Sequence, residues 1–330
     1  MSAEFITHHR NMFLSLVVGF FAIIGSANAQ TYPAKVIKVI VPWPAGGAID
    51  FVARSIALKL PERLGQQVIV ENRAGANGFI GTVAVARSEP DGYTLLFADV
   101  GTLAISPAMR TDTPYDPVKD FVPISLAVSS PFVLVVNPAV PAKSMQELVE
   151  YAKSRPGKLT YGSFGTGSIA HLAGAMLQSL VPGLDIVHVP YKGAPPAIAD
   201  LMGGQIDMVF LTVSSATPLM QSGKVRGLAV TTRQRSPLLP NLPAIAELYP
   251  GFEVNSWYGM LASAGTPPDI VARLQKEISV IIATPDMKKE LQARGFTAEG
   301  TSSGQFAGTI KQDLANWSKV IKSAGLVEAK

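Results

Sequence analysis

Three glycine-rich turns supply the residue types and spacing from which chemistry could come: Ala45-Gly46-Gly47, Gly162-Ser163-Phe164-Gly165-Thr166-Gly167-Ser168 and Tyr191-Lys192-Gly193. Each lies between an apolar run that reads as a strand and one that reads as a helix. The first amides of a helix lack partners, and the helix dipole adds partial positive charge worth about 0.3–1 kcal/mol to an exposed anion. Glycine lets backbone come close to a ligand. In open α/β sheets ligands bind outside the carboxyl ends of the strands, where these turns fall. The chemistry implied is capture of a small anion by neutral donors. Any one turn is equally well a tight connection with no ligand; three around one cleft favour the ligand.

Other chemistries find less support. Gly165-x-Gly167-x-x-Ala170 matches a dinucleotide fingerprint, but Asp185 precedes the next strand instead of ending it. No nucleophile elbow exists, because Tyr161 stands where the first glycine before Ser163 should be. The chain has no cysteine, and no metal-ligand spacing or Walker loop occurs, so no cofactor or metal is expected. His171, one turn into a helix, reaches a cleft or serves as a structural partner; His188 is mid-strand and reads as packed. Asp50, in the first turn after Gly46-Gly47, is a dipole partner or an organiser of the ligand loop. Net charge is +4 with 16% charged residues, dispersed without the basic stripe of a nucleic-acid binder.

The turns need strands and helices to hold them. Val36 to Val41 is a β-branched run expected of a strand covered on both faces. Val52, Ile56, Leu60 and Leu64 mark a helix that Pro61 should kink or shorten. Strands at 68–71 and 94–98, with a helix between them ending near Val85, complete a βαβαβ run and imply a parallel sheet. Asp112 to Pro123 is irregular, and 124–136 is extended with a break at Ser129-Ser130-Pro131. Ser144 with Glu147 is a capping box. A second series follows, with strands at 159–164, 186–189, 206–211 and 225–231 and helices at 168–180, 195–202 and near Pro218. Residues 253–262 are again extended. Helices then start at Thr266-Pro267-Pro268-Asp269, at Thr284-Pro285-Asp286 and near Gln305, the last running to Ser323.

Met12 to Gly25 is apolar after a basic start, and Ala27-Asn28-Ala29 is a small-x-small cleavage pattern, so residues 1–29 read as a secretory signal peptide and the mature chain as periplasmic. Roughly 300 further residues suit two lobes. Lobe 1 is expected from 30–127 with 258–330, and lobe 2 from 128–257. Two extended segments cross between them and leave a cleft.

Pro42-Trp43-Pro44-Ala45-Gly46-Gly47-x-x-Asp50, Val70 to Gly78, Pro90 to Thr94, Tyr161 to Ser168 with His171, Val189 to Gly193, Gly203 to Asp207 and Gly223 to Val230 follow one another in a specific order. The set resembles the extracytoplasmic substrate-binding proteins of tripartite tricarboxylate transporters, the Bug receptors, over nearly the whole mature chain. The resemblance implies an α/β, two-lobed periplasmic-binding-protein fold of the type II, Venus-flytrap kind. It implies a monomeric, non-enzymatic receptor for a small organic carboxylate, serving a permease of one small and one large integral-membrane subunit. Carried over, Ser163, Gly165, Thr166, Gly167 and Ser168 supply donors in lobe 2, and Ala45, Gly46, Gly47 and Asp50 form the lobe 1 loop. Gly101 and Thr102 line the same side, and His171, Tyr191, Lys192 and Gly193 adjoin the site. Many members carry an acid where this chain has Leu211, and often Phe where it has Trp43; an aromatic or aliphatic carboxylate is therefore expected over an amino acid. Presentation to a membrane sensor kinase and an exported hydrolase built on His171 are the alternatives.

Overall fold

Ile37–Val41 (β1) is buried except at Lys38 and lies parallel to Val68–Asn72 (β2) and Thr94–Asp99 (β3), as its β-branched run requires. The structure is a computed structural model that describes residues 32–327. The signal-peptide reading lies outside the described residues. Pro61 breaks the first helix as expected: Ala48–Lys59 (α1) ends at Leu60, and a separate turn, Pro61–Leu64 (α2), closes on Gly65. Phe79–Ala86 (α3) links β2 to β3. After β3 comes a π-helical turn, Gly101–Ile105, continued by Ser106–Met109 (α4). The sequence reading had no element there.

Phe121–Val136 (β4) is one strand of 16 residues, not two segments broken at Ser129-Ser130-Pro131. Pro131 is tolerated because the strand changes partners there. Its first part, Phe121 to Pro131, runs antiparallel to Asn255–Ser263 (β9), while Phe132 to Val136 pairs with other strands. Met145–Lys153 (α5) is capped by Ser144, whose side chain accepts the Glu147 N–H. The box is not reciprocal, since Glu147 Oε2 accepts the N–H of Lys143 and not that of Ser144.

The second series is Leu159–Ser163 (β5), Ile169–Leu180 (α6), Ile186–Pro190 (β6), Ala194–Met202 (α7), Met208–Thr212 (β7), Val213–Gln221 (α8) and Arg226–Val230 (β8). β5 is parallel to β6 and β7; β7 and β8 are antiparallel to β4. After β9 come Pro268–Ala283 (α9), Pro285–Ala293 (α10), a short strand Thr297–Ala298 (β10) on β4, and Ser303–Ser323 (α11). The strand order is β2-β1-β3-β9-β4-β7-β5-β6, with β8 and β10 also on β4. From Lys35 onward the described chain is one compact unit. The expected lobe boundaries at 127/128 and 257/258 fall inside β4 and β9; β4 pairs with strands of both halves of the sheet, and β9 lies between β3 and the first part of β4.

Side chains of β4 alternate between two faces. Phe132, Leu134 and Val136 join a core running from Ile40, Leu96 and Leu103 to Tyr161, Leu172 and Phe252. Val133 and Val135 pack on the other face with Leu201, Val209 and Leu211. α11 touches β4, the π-turn and α6, so it packs across both halves rather than on the first alone.

Candidate functional site

A cavity of about 420 Å³ opens where the carboxyl ends of β3 and β5 face one another. Of the residues singled out from sequence, Trp43, Gly101, Gly165, Thr166, Gly167 and Ser168 line it. Asp99, Val100, Ile105, Ser106, Met109, Arg110, Phe164, Ile169 and Ser256 complete the wall.

The β5–α6 turn forms one side. Much of its hydrogen bonding is internal. Ser163 Oγ accepts the Gly165 N–H at 3.2 Å and donates to the Gly165 carbonyl at 3.1 Å. The Gly167 N–H goes to His171 Nδ1 at 3.0 Å, and the Ser168 N–H to the Gly165 carbonyl at 3.1 Å. The amides of Gly165, Gly167 and Ser168 therefore shape the turn and are not spare. Thr166 and Ile169, both on the cavity wall, keep N–H groups with no partner among the described residues. The hydroxyls of Thr166 and Ser168 add further donors. Gly167 has φ +77°, and a Cβ there would sit 2.6 Å from Met109 Cε across the cavity.

The β3 end forms the other side. Asp99 Oδ1 accepts from Thr102 N–H at 2.9 Å and Thr102 Oγ1 at 2.6 Å, which fixes the start of the π-turn. Burial pushes the Asp99 carboxyl up, against hydrogen bonds from Thr102 and the adjacent Trp43 indole. That indole N–H is itself buried and not aligned for a full hydrogen bond. Thr102 is fully buried and acts through Asp99 instead of lining the cavity. Arg110, the basic side chain of the wall, pairs with Asp112 at 3.0 and 3.2 Å and lies 5.8 Å from the Phe79 ring centre. Sequence reasoning missed both Asp99 and Arg110. A signal existed, since Asp99-Val100-Gly101 also ends a strand at a glycine.

Several expected residues lie elsewhere. Ala45 and Gly47 are exposed, and Gly46 and Asp50 line a separate groove with Arg54 and Arg294. Asp50 is a loop organiser: it accepts from Gly46 N–H at 2.8 Å, Arg54 Nε at 3.0 Å and Asn72 Nδ2 at 2.9 Å. Burial raises its pKa, but the bonds from Arg54, Gly46 and Asn72 outweigh that and hold it below the usual carboxylate value. Asn72 also donates to the Trp43 carbonyl at 3.0 Å, which ties the cavity's indole to this network. Ser163 and His171 are buried behind the turn. Tyr191 donates to Asp200 at 2.7 Å, Lys192 is exposed, and Gly193 precedes α7; none of the three lines the cavity. Leu211 is fully buried among Val133, Val135 and Val209 and does not touch the cavity. The acid that does face it is Asp99.

A mixed sheet whose halves share a pair of crossing strands, with glycine turns at a cavity between them, is the periplasmic-binding-protein fold. The periplasmic binding protein BugD has it at a TM-score of 0.71 and 36% identity, over 90% of this chain and 100% of that one. The chain belongs to the tripartite tricarboxylate transporter family receptors, whose sequence profile matches residues 52–326. Rpa4515 of R. palustris, solved with adipate, is 34% identical over 89% of this chain and 98% of its own, with a TM-score of 0.73. MatC from Rhodopseudomonas palustris, solved with malate, is 31% identical over 88% of this chain and 100% of its own, with a TM-score of 0.70.

Proposed function

We propose that this chain is an exported receptor that captures a small organic carboxylate in the cavity between β3 and β5 and delivers it to the membrane subunits of a tripartite transporter. The observation that carries the reading is the set of unused donors at the start of α6: the N–H groups of Thr166 and Ile169 and the hydroxyls of Thr166 and Ser168. A carboxylate placed there meets neutral donors and the positive end of a helix dipole. Neutral donors hold an anion less strongly than a bidentate Arg, which suits a protein that must release its cargo. Relatives that bind adipate and malate support the ligand class. We assign residues 30–127 with 258–330 to one lobe and 128–257 to the other, with β4 and β9 as the shared crossing.

A melting-temperature screen over mono-, di- and tricarboxylates, aromatic acids and amino acids tests the reading. A ligand at 100 times its dissociation constant adds about 2.7 kcal/mol to stability. A screen in which no carboxylate moves the transition removes the ligand class, and one in which only amino acids do so replaces it with a zwitterionic ligand.

A further inference from the structure

Behind the β5–α6 turn two histidines lie face to face, ring centroids 3.8 Å apart and planes 12° apart. Tyr161 lies 5.0 Å from the His188 ring, on the same stack. Each histidine grips the turn. His171 Nδ1 accepts the Gly167 N–H, and His188 Nε2 lies 2.6 Å from Ser163 Oγ, the atom that bonds both the N–H and the carbonyl of Gly165. An Nδ1 that accepts carries no proton, so this arrangement requires neutral His171 with its hydrogen on Nε2. A proton on Nδ1 would set two N–H groups against each other.

We propose that His171, backed by His188, is the positioning residue of the binding turn: its bare Nδ1 fixes the Gly167 amide, and affinity for an anion falls when the pair takes up a proton. The affinity arm of the test rests on the carboxylate reading above; the inference adds the group that keeps the turn in shape. Its sign is unusual. A histidine merely near an anion strengthens binding when protonated, because the new charge attracts. Here the hydrogen bond that shapes the turn is lost instead.

The surroundings keep the pair neutral. Burial pushes both rings down, and for His188, brought to about 4, the neighbouring His171 adds to it. α6, β5 and β7 carry no charged side chain, and Tyr161 and His188 are the titratable groups of β5 and β6. α11, packed on α6, carries Lys311, Asp313, Lys319 and Lys322, of which Asp313 bonds Trp257. Lys192, after β6, is exposed, and Arg110 across the cavity is bound to Asp112. None of these contributes to the shift of either ring.

The test has two arms. In ¹⁵N-labelled protein without ligand, the Gly167 amide resonance should move on acidification with the same midpoint as the His171 ring, below the ordinary value of about 6.5. It should not do so in His171→Asn, whose Oδ1 accepts in place of Nδ1 but does not titrate. In the second arm, the tightest binder among succinate, malate and adipate is titrated calorimetrically from pH 7 to pH 5.5. His171→Leu should weaken it about 10-fold or more at pH 7, because the Gly167 N–H is orphaned. His171→Asn should recover most of that loss and show a flatter acid limb than the unaltered protein; protonation of the ligand cancels in the comparison. A Gly167 amide indifferent to His171, or affinity that rises on acidification relative to His171→Asn, overturns the proposal. If none of the acids binds, the carboxylate reading falls and the amide titration still decides the role of His171.

Discussion

Gly167 shows how little room the site leaves. Its φ of +77° lies in the left-handed region, and Met109 Sδ and Cε would lie 2.8 and 2.6 Å from any Cβ. A β-branched residue there meets backbone strain of about 1–3 kcal/mol and a side chain pressed down from the opposite wall. Gly167→Val should therefore abolish ligand binding in calorimetry while far-UV circular dichroism stays close to that of the unaltered protein. Unchanged affinity would take the β5–α6 turn out of the site. Asp50 works at the same scale but at one remove. Its carboxylate gathers Gly46, Arg54 and Asn72, and Asn72 in turn holds the Trp43 carbonyl. The residue pattern Gly46-Gly47-x-x-Asp50 points to an organised loop, and Asp50 does hold Gly46, but that loop lines a separate groove and not the cavity. The sequence could not announce that Leu211 is swallowed by the core, and the glycine after Asp99 marks a turn without showing that the carboxylate faces the cavity. Both sit at strand ends, where a one-residue change in register turns a side chain from core to cavity.

Among the elements, the histidine stack and the tie between α11 and β9 act in opposite directions with pH. Burial lowers the His188 pKa to about 4, with a smaller contribution from His171, so between about 4 and 6.5 the unfolded chain binds the extra proton. Stability from this source is complete above pH 6.5 and declines as pH falls through the window. Asp313, which accepts from Trp257 Nε1 at 2.6 Å, is pushed up to about 6 by burial, against that hydrogen bond. The folded form then holds the extra proton, and stability from this source is complete below the ordinary value of about 3.9 and declines as pH rises to 6. Urea titrations from pH 4 to pH 7 should show the two offsetting one another. His188→Gln should leave a profile that falls more with rising pH than that of the unaltered protein, and Asp313→Asn one that rises more. Parallel profiles for all three proteins would refute both assignments. Most elements were legible because their signals are local: the β-branched run of β1, Pro61 after α1, and Thr284-Pro285 before α10. The π-turn at Gly101–Ile105 was not, because Pro107 follows it closely and five residues show no helical period. That turn carries Gly101 and leads to Met109 and Arg110, so much of the cavity wall was hidden with it. The sequence suggests a break in β4 at Ser129-Ser130-Pro131 for a related reason. The proline marks a change of partner strands, which only the sheet reveals.

At the scale of the molecule, the two halves of the sheet are joined along β4 and β9 and touch again at points remote from those strands. Met109 from the β3 side meets Gly167 from the β5 side at the cavity, and Ser214 at the start of α8 meets Gly295 just after α10. Ligand favours the arrangement in which these contacts form only to the extent that it binds that arrangement better. Gly295 allows the second contact to be altered without touching the cavity. It has φ +75°, and a Cβ there would lie 2.6 Å from Ser214 Cβ and 2.8 Å from its backbone nitrogen. Backbone atoms cannot swing aside as a side chain can, so Gly295→Leu should hold α8 and α10 apart. The expected result is a larger radius of gyration in small-angle scattering with ligand present, and weaker carboxylate binding with the cavity residues intact. Some stability is lost as well, because Gly295 follows α10 in the left-handed conformation, which costs a residue with a Cβ roughly 1–2 kcal/mol. A variant with lower melting temperature but unaltered compaction and affinity would show that the Ser214–Gly295 contact plays no part in closing the halves on a ligand.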